Sequence, residues 1–338
     1  MNNNDMDELK GEYLAALEAE LREGLKYPTE RIDAAKQMLH YHMGWDAQNQ
    51  PSGAPGKRTR PLLTLLCANA AGGQWRAALP LAAAVELVHN FSLIHDDIQD
   101  ESELRRGRAT LWVLWGKPQA INAGDAMFAH AHLAVQYATA LSPETRLEAL
   151  NVLDQACLAL TAGQYFDLAF ESTESVDEKA YKEMVAGKTA ALIAVAAELG
   201  ALAAGASAAQ REKYRSFGHA LGLAYQVRDD ILGIWGESDR TGKPFGADIL
   251  ARKKTLPVVI GMERSTELRA LYHSPVVDDT DVCNAVRLLQ ECGARAAAED
   301  VEREQVNLAL SRLAAAGPVD KGGEVLQSLA QQLLERTN

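Results

Sequence analysis

No proline stands between Pro143 and Pro244. Proline removes a backbone donor and clashes with the preceding helical turn, so a gap of this length leaves room for long helices. The same stretch is rich in Ala, Leu, Glu and Gln, which are strong helix formers. Alternating β-branched runs are nearly missing from the chain. The periodicity predicts helices over 7–23, where Leu9, Tyr13, Leu17 and Leu21 recur every fourth residue, then 33–41, 60–70, 79–100, 112–139 and 143–171. Further helices are expected over 176–205 with a break near Gly187, over 208–235, over 255–272, and from Asp278 onward. Residues 236–254 read as a charged loop. The expectation is an all-α chain forming one domain over 1–338, with C-terminal helices at 278–338.

Composition narrows the function. Acids outnumber bases, 46 to 34, for a net charge of −12. A basic surface for nucleic acid is therefore not expected, and an anionic small molecule would need local cations or metal. Cys67, Cys157, Cys283 and Cys292 form no CxxC pair. The opening MNNNDMDELKGEY is polar and acidic, unlike a secretory leader. These features read as reduced cysteines in a cytoplasmic protein. The longest apolar run, 190–209, is alanine-dominated and interrupted by Glu198, so it reads as a buried helix and not a transmembrane segment.

The chemistry concentrates in two acidic segments. The first is HNFSLIHDDIQDESELRRG, from His89 to Gly107. On a helix, Asp96 and Asp100 lie one turn apart on one face. Paired carboxylates suit Mg²⁺, which takes one or two of them and fills its other positions with water and phosphate oxygen. A solvated helix end is the bland alternative, but the apolar stretch leading into these acids argues for the mouth of a pocket. Arg105 and Arg106 follow, suited to an anion. The second segment, QVRDDILG, places Asp229 and Asp230 at the end of another apolar helix. Small basic groups accompany them: GKRTRP with Lys57 and Arg60, Lys188-Thr189, Lys243, and Arg252-Lys253-Lys254. Each alone is more often a solvated charge; with two acid pairs they describe a diphosphate site. Lys57 does not belong to a P-loop, because the full GxxxxGK[ST] pattern is missing. His89 precedes Asp96 by seven residues, which puts the two within roughly 20° on one helical face. His95, His130 and His132, like Trp112 and Trp115, read as structural.

In this order and spacing, GKRTRP, HNFSLIHDDIQDESELRRG, GKT at Gly187–Thr189, QVRDDILG and TGKPFGADILARKKTLP resemble the motifs of the trans-isoprenyl diphosphate synthases, the polyprenyl synthetase family. The resemblance runs over about 56–257. It implies an isoprenoid synthase-type helical bundle around a central cavity and a homodimer. It also implies the head-to-tail (1′-4) condensation of isopentenyl diphosphate with dimethylallyl, geranyl or farnesyl diphosphate. By the same resemblance, Asp96 and Asp100, supported by Asp97, would hold two Mg²⁺ ions on the allylic diphosphate, and Asp229 with Asp230 a third. Arg105, Lys188, Thr189, Gln226, Lys243 and Lys253 would contact that diphosphate. Lys57, Arg60, His89 and Arg106 would hold isopentenyl diphosphate. Gln164 and Asp167 match positions facing the site. No protein base is implied, since the released diphosphate takes the proton in the family's usual account.

One position departs from the pattern. The family often carries a third aspartate where Gly233 stands; Glu237 and Asp239 follow as candidate substitutes, and an aspartate at 233 would add a carboxylate one turn after Asp229. For product length, Ser92 lies four residues before Asp96 and faces the growing tail, while Phe91 lies about 140° away and lines its flank. In the family, an aromatic at the fifth position alone goes with geranylgeranyl diphosphate and aromatics at both positions with farnesyl diphosphate. The two-residue insertion of many bacterial farnesyl synthases is missing. Val88 and Leu87 lie deeper, as a floor. The expected product is geranylgeranyl diphosphate, with farnesyl diphosphate second. A class I terpene cyclase would lack Lys57, Arg60, His89 and Arg106, and a non-catalytic partner subunit would usually lose aspartates.

Overall fold

The computed structural model describes residues 3–26, 33–45, 56–236, 245–273 and 278–335. Apart from two paired two-residue strands, Leu104–Arg105 and Arg108–Ala109, the described elements are helical, as the proline gap predicts. The chain divides into two compact units, one of 1–154, 195–212 and 317–326, the other of 155–194, 213–316 and 327–338.

In the first unit, the helix Leu79–Gln99 packs against Lys117–Gln136, Thr59–Ala70 and Asn3–Gly24. The stripe predicted on the N-terminal helix is inside, with Tyr13, Leu17 and Leu21 fully buried. They share a core with Leu63, Leu66, Leu81 and Val85. Each buried leucine contributes about 1.5–3 kcal/mol, so this core holds the acid-bearing helix in place without help from the acids. The single helix expected over 112–139 is two, Leu111–Trp115 and Lys117–Gln136. Pro118, near the start of the second, has no N–H to continue the first, so the helix restarts there. Trp112 and Trp115 are half-buried, not core. The Trp112 indole donates to the Ser102 carbonyl at 2.9 Å, and Trp115 meets the Tyr41 ring edge-on.

The second unit has its own core of Tyr181, Val227, Ile231, Ile234, Leu256 and Val259. Asp177 caps Glu178–Val185 by accepting from the Ala180 N–H at 2.7 Å. The break expected near Gly187 is one π-helical turn, Ala186–Ala190, which leads into Ala191–Ala203. The helix expected over 255–272 divides into Leu256–Arg264 and Thr266–His273. Ser265 between them is extended, and its hydroxyl accepts from the Leu268 N–H at 3.1 Å, the geometry of a helix cap. Within the expected loop 236–254, Ala247–Leu250 forms a short helix. The tail runs as Asp279–Glu291, Ala294–Ala316 and Asp320–Glu335, the first opened by a reciprocal Asp278–Asp281 capping box.

Trp75–Gln99 and Glu178–Ala203 are long and apolar enough to cross a membrane, yet most of each is buried within the protein. None of the four cysteines is bridged.

Candidate functional site

In the first unit the acids close the helix Leu79–Gln99. Asp100 is its C-cap, and its N–H donates to the Asp96 carbonyl at 2.8 Å, so the two side chains leave the helix one turn apart. Asp100 is exposed and Asp96 half-buried. Asp97 behaves differently. It is 3% exposed, and one carboxylate oxygen accepts from both Arg105 Nε and Nη2 at 2.8 Å. Burial pushes its pKa up, and Arg105 pulls against that shift.

The basic group assembles around His89. Arg60 Nη1 donates to His89 Nε2 at 3.3 Å. Burial, then Arg60 and Arg106, hold the imidazole pKa well below its usual value, so His89 is the neutral acceptor of that bond. The Arg106 guanidinium packs so closely on Gly56 that a Cβ there would lie 2.6 Å from Nη2. Lys57 is exposed on the same loop. Of the expected set, Arg60, His89 and Arg106 are thus brought together, and Lys57 follows the glycine that Arg106 packs on. Among the described residues, non-glycine positive φ occurs at Arg58, Glu101, Arg106 and Arg252, each beside one of these motifs. Such strain persists only where surrounding contacts hold it.

Sequence reasoning passed over the residue that holds this loop. Arg58 is 4% exposed with φ 48°. Its Nε donates to Glu18 at 2.8 Å and its Nη1 to Glu86 at 2.7 Å. Glu86 also accepts from Asn90 Nδ2 at 2.9 Å. The signal was Glu86 itself, a lone charge inside an apolar helix.

In the second unit, Asp167, Lys188, Thr189, Gln226, Asp229, Asp230, Asp248, Lys253 and Lys254 line one cleft. Lys188 pairs with Asp167 on the wall of this cleft. A Cβ at Gly163 would lie 2.1 Å from the Lys188 amide nitrogen, so only glycine lets the π turn approach this closely. Gln164, next in sequence, is buried. The Thr189 hydroxyl donates to Gln226 Oε1 at 2.7 Å, and Gln226 Nε2 donates to Asp230 Oδ1 at 2.8 Å. Asp230 Oδ2 accepts from the Tyr181 hydroxyl at 2.5 Å and the Leu256 N–H at 2.8 Å. Burial raises the Asp230 pKa to about 7. With both oxygens hydrogen-bonded and 4% exposure, Asp230 braces the elements around it. Lys254 donates to the Phe170 carbonyl at 2.6 Å, away from the role of its neighbour Lys253, which is exposed at the cleft. Arg228, just before the acid pair, donates through Nε to Glu302 at 2.6 Å, a role for the tail that its sequence does not announce. Lys243, Glu237 and Asp239 lie outside the described residues.

The donor set fits Mg²⁺ in one respect. No group of three His, Cys, Asp or Glu side chains gathers as a metal cage among the described residues. Paired carboxylates that leave most positions to phosphate and water are the arrangement Mg²⁺ prefers.

Comparison with known proteins agrees. The Polyprenyl synthetase family profile matches residues 46–289. The (2E,6E)-farnesyl diphosphate synthase of Mycobacterium tuberculosis is 40% identical over 92% of this chain and 89% of its own length. The geranylgeranyl diphosphate synthase of the same organism is 42% identical over 82% of this chain and 80% of its own. The polyprenyl synthase of Caulobacter crescentus CB15, solved with calcium and isoprenyl diphosphate, has a TM-score of 0.84 at 30% identity, covering 99% of this chain and 98% of that one. With the motifs in order and both acid segments ending apolar helices, the chain belongs to the polyprenyl synthetase family of trans-isoprenyl diphosphate synthases.

Proposed function

We propose that this short-chain trans-prenyltransferase condenses isopentenyl diphosphate with an allylic diphosphate to give geranylgeranyl diphosphate. Asp96, Asp100 and Asp229 would hold Mg²⁺, which when bound stabilises the charge gained by the leaving diphosphate. Arg105, Lys188, Gln226, Lys243 and Lys253 bind that diphosphate, with Asp97 and Asp230 orienting Arg105 and Gln226. Thr189 steadies Gln226 by its hydroxyl. Preorganised cations lower the barrier because they need not reorient as charge develops. Lys57, Arg60, Arg106 and neutral His89 bind the isopentenyl diphosphate.

The observation that carries the product length is the wall before Asp96. Ser92 is small, 8% exposed, and turns its hydroxyl back to the His89 carbonyl at 2.8 Å, presenting no bulk. Phe91 turns aside and meets Phe128 and His95 edge-on. Val88, one turn below Ser92, is fully buried and suits a floor. Farnesyl diphosphate is the second reading, favoured by the mycobacterial farnesyl synthase, which matches along more of the chain. Incubation with Mg²⁺, isopentenyl diphosphate and each allylic primer, followed by product chromatography, tests both. Ser92→Phe shortens the product and Phe91→Ala lengthens it; an unchanged distribution in Ser92→Phe overturns this wall. The same chain acts as a homodimer through Leu111–Trp115 and Lys117–Gln136, whose Val113, Leu114 and Ile121 are 44%, 47% and 45% exposed. Sedimentation showing only monomer at micromolar concentration contradicts that.

A further inference from the structure

A buried carboxylate outside the motifs lies behind the basic group of the first unit. Glu86 is 2% exposed within the apolar stretch of Leu79–Gln99. It stands three residues before His89, so the two are neighbours on one helical face. An ionised carboxylate is buried only where cations and hydrogen bonds meet it. Glu86 Oε1 accepts from Arg58 Nη1 at 2.7 Å and from Asn90 Nδ2 at 2.9 Å, and both partners are buried.

Arg58 is turned into the protein and not toward a ligand. Besides Nη1 on Glu86, its Nε donates to Glu18 at 2.8 Å and its Nη2 to the Met43 carbonyl at 3.3 Å. Burial disfavours the charge on Arg58; Glu86 and then Glu18 overcome that, and its pKa is raised. Arg58 is also the N-cap of Thr59–Ala70, at φ 48° and ψ 32°. This left-handed residue stands between exposed Lys57 and the first helical turn, where Arg60 meets His89. Glu86 acts on Arg106 as well. Burial lowers the Arg106 pKa, and Glu86 is the largest influence opposing it.

We infer that Glu86 is a positioning residue for isopentenyl diphosphate: through Arg58 it fixes the loop that carries Lys57 and Arg60, and by its charge it retains Arg106 beside that loop. This role rests on the isopentenyl diphosphate reading proposed above. It also separates the two substrates. Asp96 stands ten residues further along the helix, about 15 Å by the helical rise, so the metal-side diphosphate does not depend on Glu86.

Calorimetric titration of the full chain with isopentenyl diphosphate alone reads the affinity directly, because no condensation occurs without an allylic primer. Glu86→Gln keeps the size and an acceptor but removes the charge, and weakens this affinity by about tenfold, within the range of couplings inside one charged network. Glu18→Gln, half-buried at the other end of Arg58, weakens it by about threefold and carries the test where Glu86→Gln does not fold. In turnover, Glu86→Gln raises KM for isopentenyl diphosphate, while kcat and KM for geranyl diphosphate stay within about twofold of the parent. A purely structural role would instead lower thermal stability and the active fraction while each folded molecule kept its KM. Parental affinity in folded Glu86→Gln, or in Glu18→Gln where Glu86→Gln does not fold, overturns the role, as does an equal rise in KM for both substrates. Arg60→Ala separates the two levels. If it loses affinity for isopentenyl diphosphate while Glu86→Gln does not, only the role of Glu86 fails. If Arg60→Ala also retains parental affinity, the isopentenyl diphosphate reading itself fails.

Discussion

The two acidic segments look alike in sequence, since each is an Asp-Asp pair ending an apolar helix, yet they are built by different physics. Around Asp96 the order comes from ion pairs. Asp97 is held by Arg105, and the loop beneath is held by Arg58 bridging Glu18 and Glu86. Around Asp229 the order comes from neutral donors. Asp230 is held by a tyrosine hydroxyl, a glutamine amide and a backbone N–H. The same Asp-Asp dipeptide thus splits in both places into one residue left toward the cleft or solvent and one drawn inward as a brace. In the first segment the brace remains beside charge, and in the second it approaches neutrality.

The comparison breaks most visibly at the outward acids. Asp96→Ala, Asp100→Ala and Asp229→Ala each lower turnover by about 10²–10³-fold or more, the scale of losing a principal charge stabiliser. Near-normal turnover by any of these variants, purified and folded, contradicts the equivalence of the three outward acids. The inward acids sharpen the contrast at smaller scale. Tyr181→Phe deprives buried Asp230 of one of three donors and destabilises the fold by about 1–3 kcal/mol, read by urea denaturation. Arg105→Gln keeps a donor for Asp97 but removes its charge, and since Arg105 is 31% exposed on its side chain, solvent screening holds the loss to about 1 kcal/mol. Equal losses would mean that the two braces work alike.

The smallest effect is on pH. Burial first, and then Arg105, Arg106 and Arg58, depress the His42 pKa from 6.5 to about 3. The folded protein keeps this imidazole neutral, while the unfolded chain takes up a proton once the pH falls below 6.5. The contribution is therefore fully present above pH 6.5 and is lost progressively as the pH falls toward 3. Denaturation midpoints measured at pH 7 and pH 5 should converge in His42→Gln relative to the parent. Parallel loss in both proteins would remove His42 from the account.

Much of this was legible from residues near one another in the chain. The helix 208–235 was placed to the residue, because an unbroken 3.6-residue pattern and the lack of proline leave little choice. The outward acids were legible from spacing, and Arg60 with His89 from their motifs. The braces were not. Asp230 depends on Tyr181 and Leu256, and Arg228 on Glu302, and nothing local marks which distant side chain will meet which. The split of 112–139 was missed because apolar periodicity continues across Gly116-Lys117-Pro118, where only the proline reports the restart.

The π turn at Ala186–Ala190 carries a consequence for how this region tolerates change in length. A π turn fits one residue more than an α-helical turn between the same flanking segments, so it behaves as an insertion accommodated in place. Replacing a side chain in it leaves the phase of the flanking helices intact. Deleting one residue would restore plain α-helical counting and rotate Tyr181 relative to Ala191–Ala203 by about 100°. Tyr181 would then no longer point at Asp230, and Lys188 would lose Asp167. Length is therefore a separate constraint here: contacts fix Gly187, Lys188 and Thr189 individually, and the helical phase fixes how many residues the turn holds.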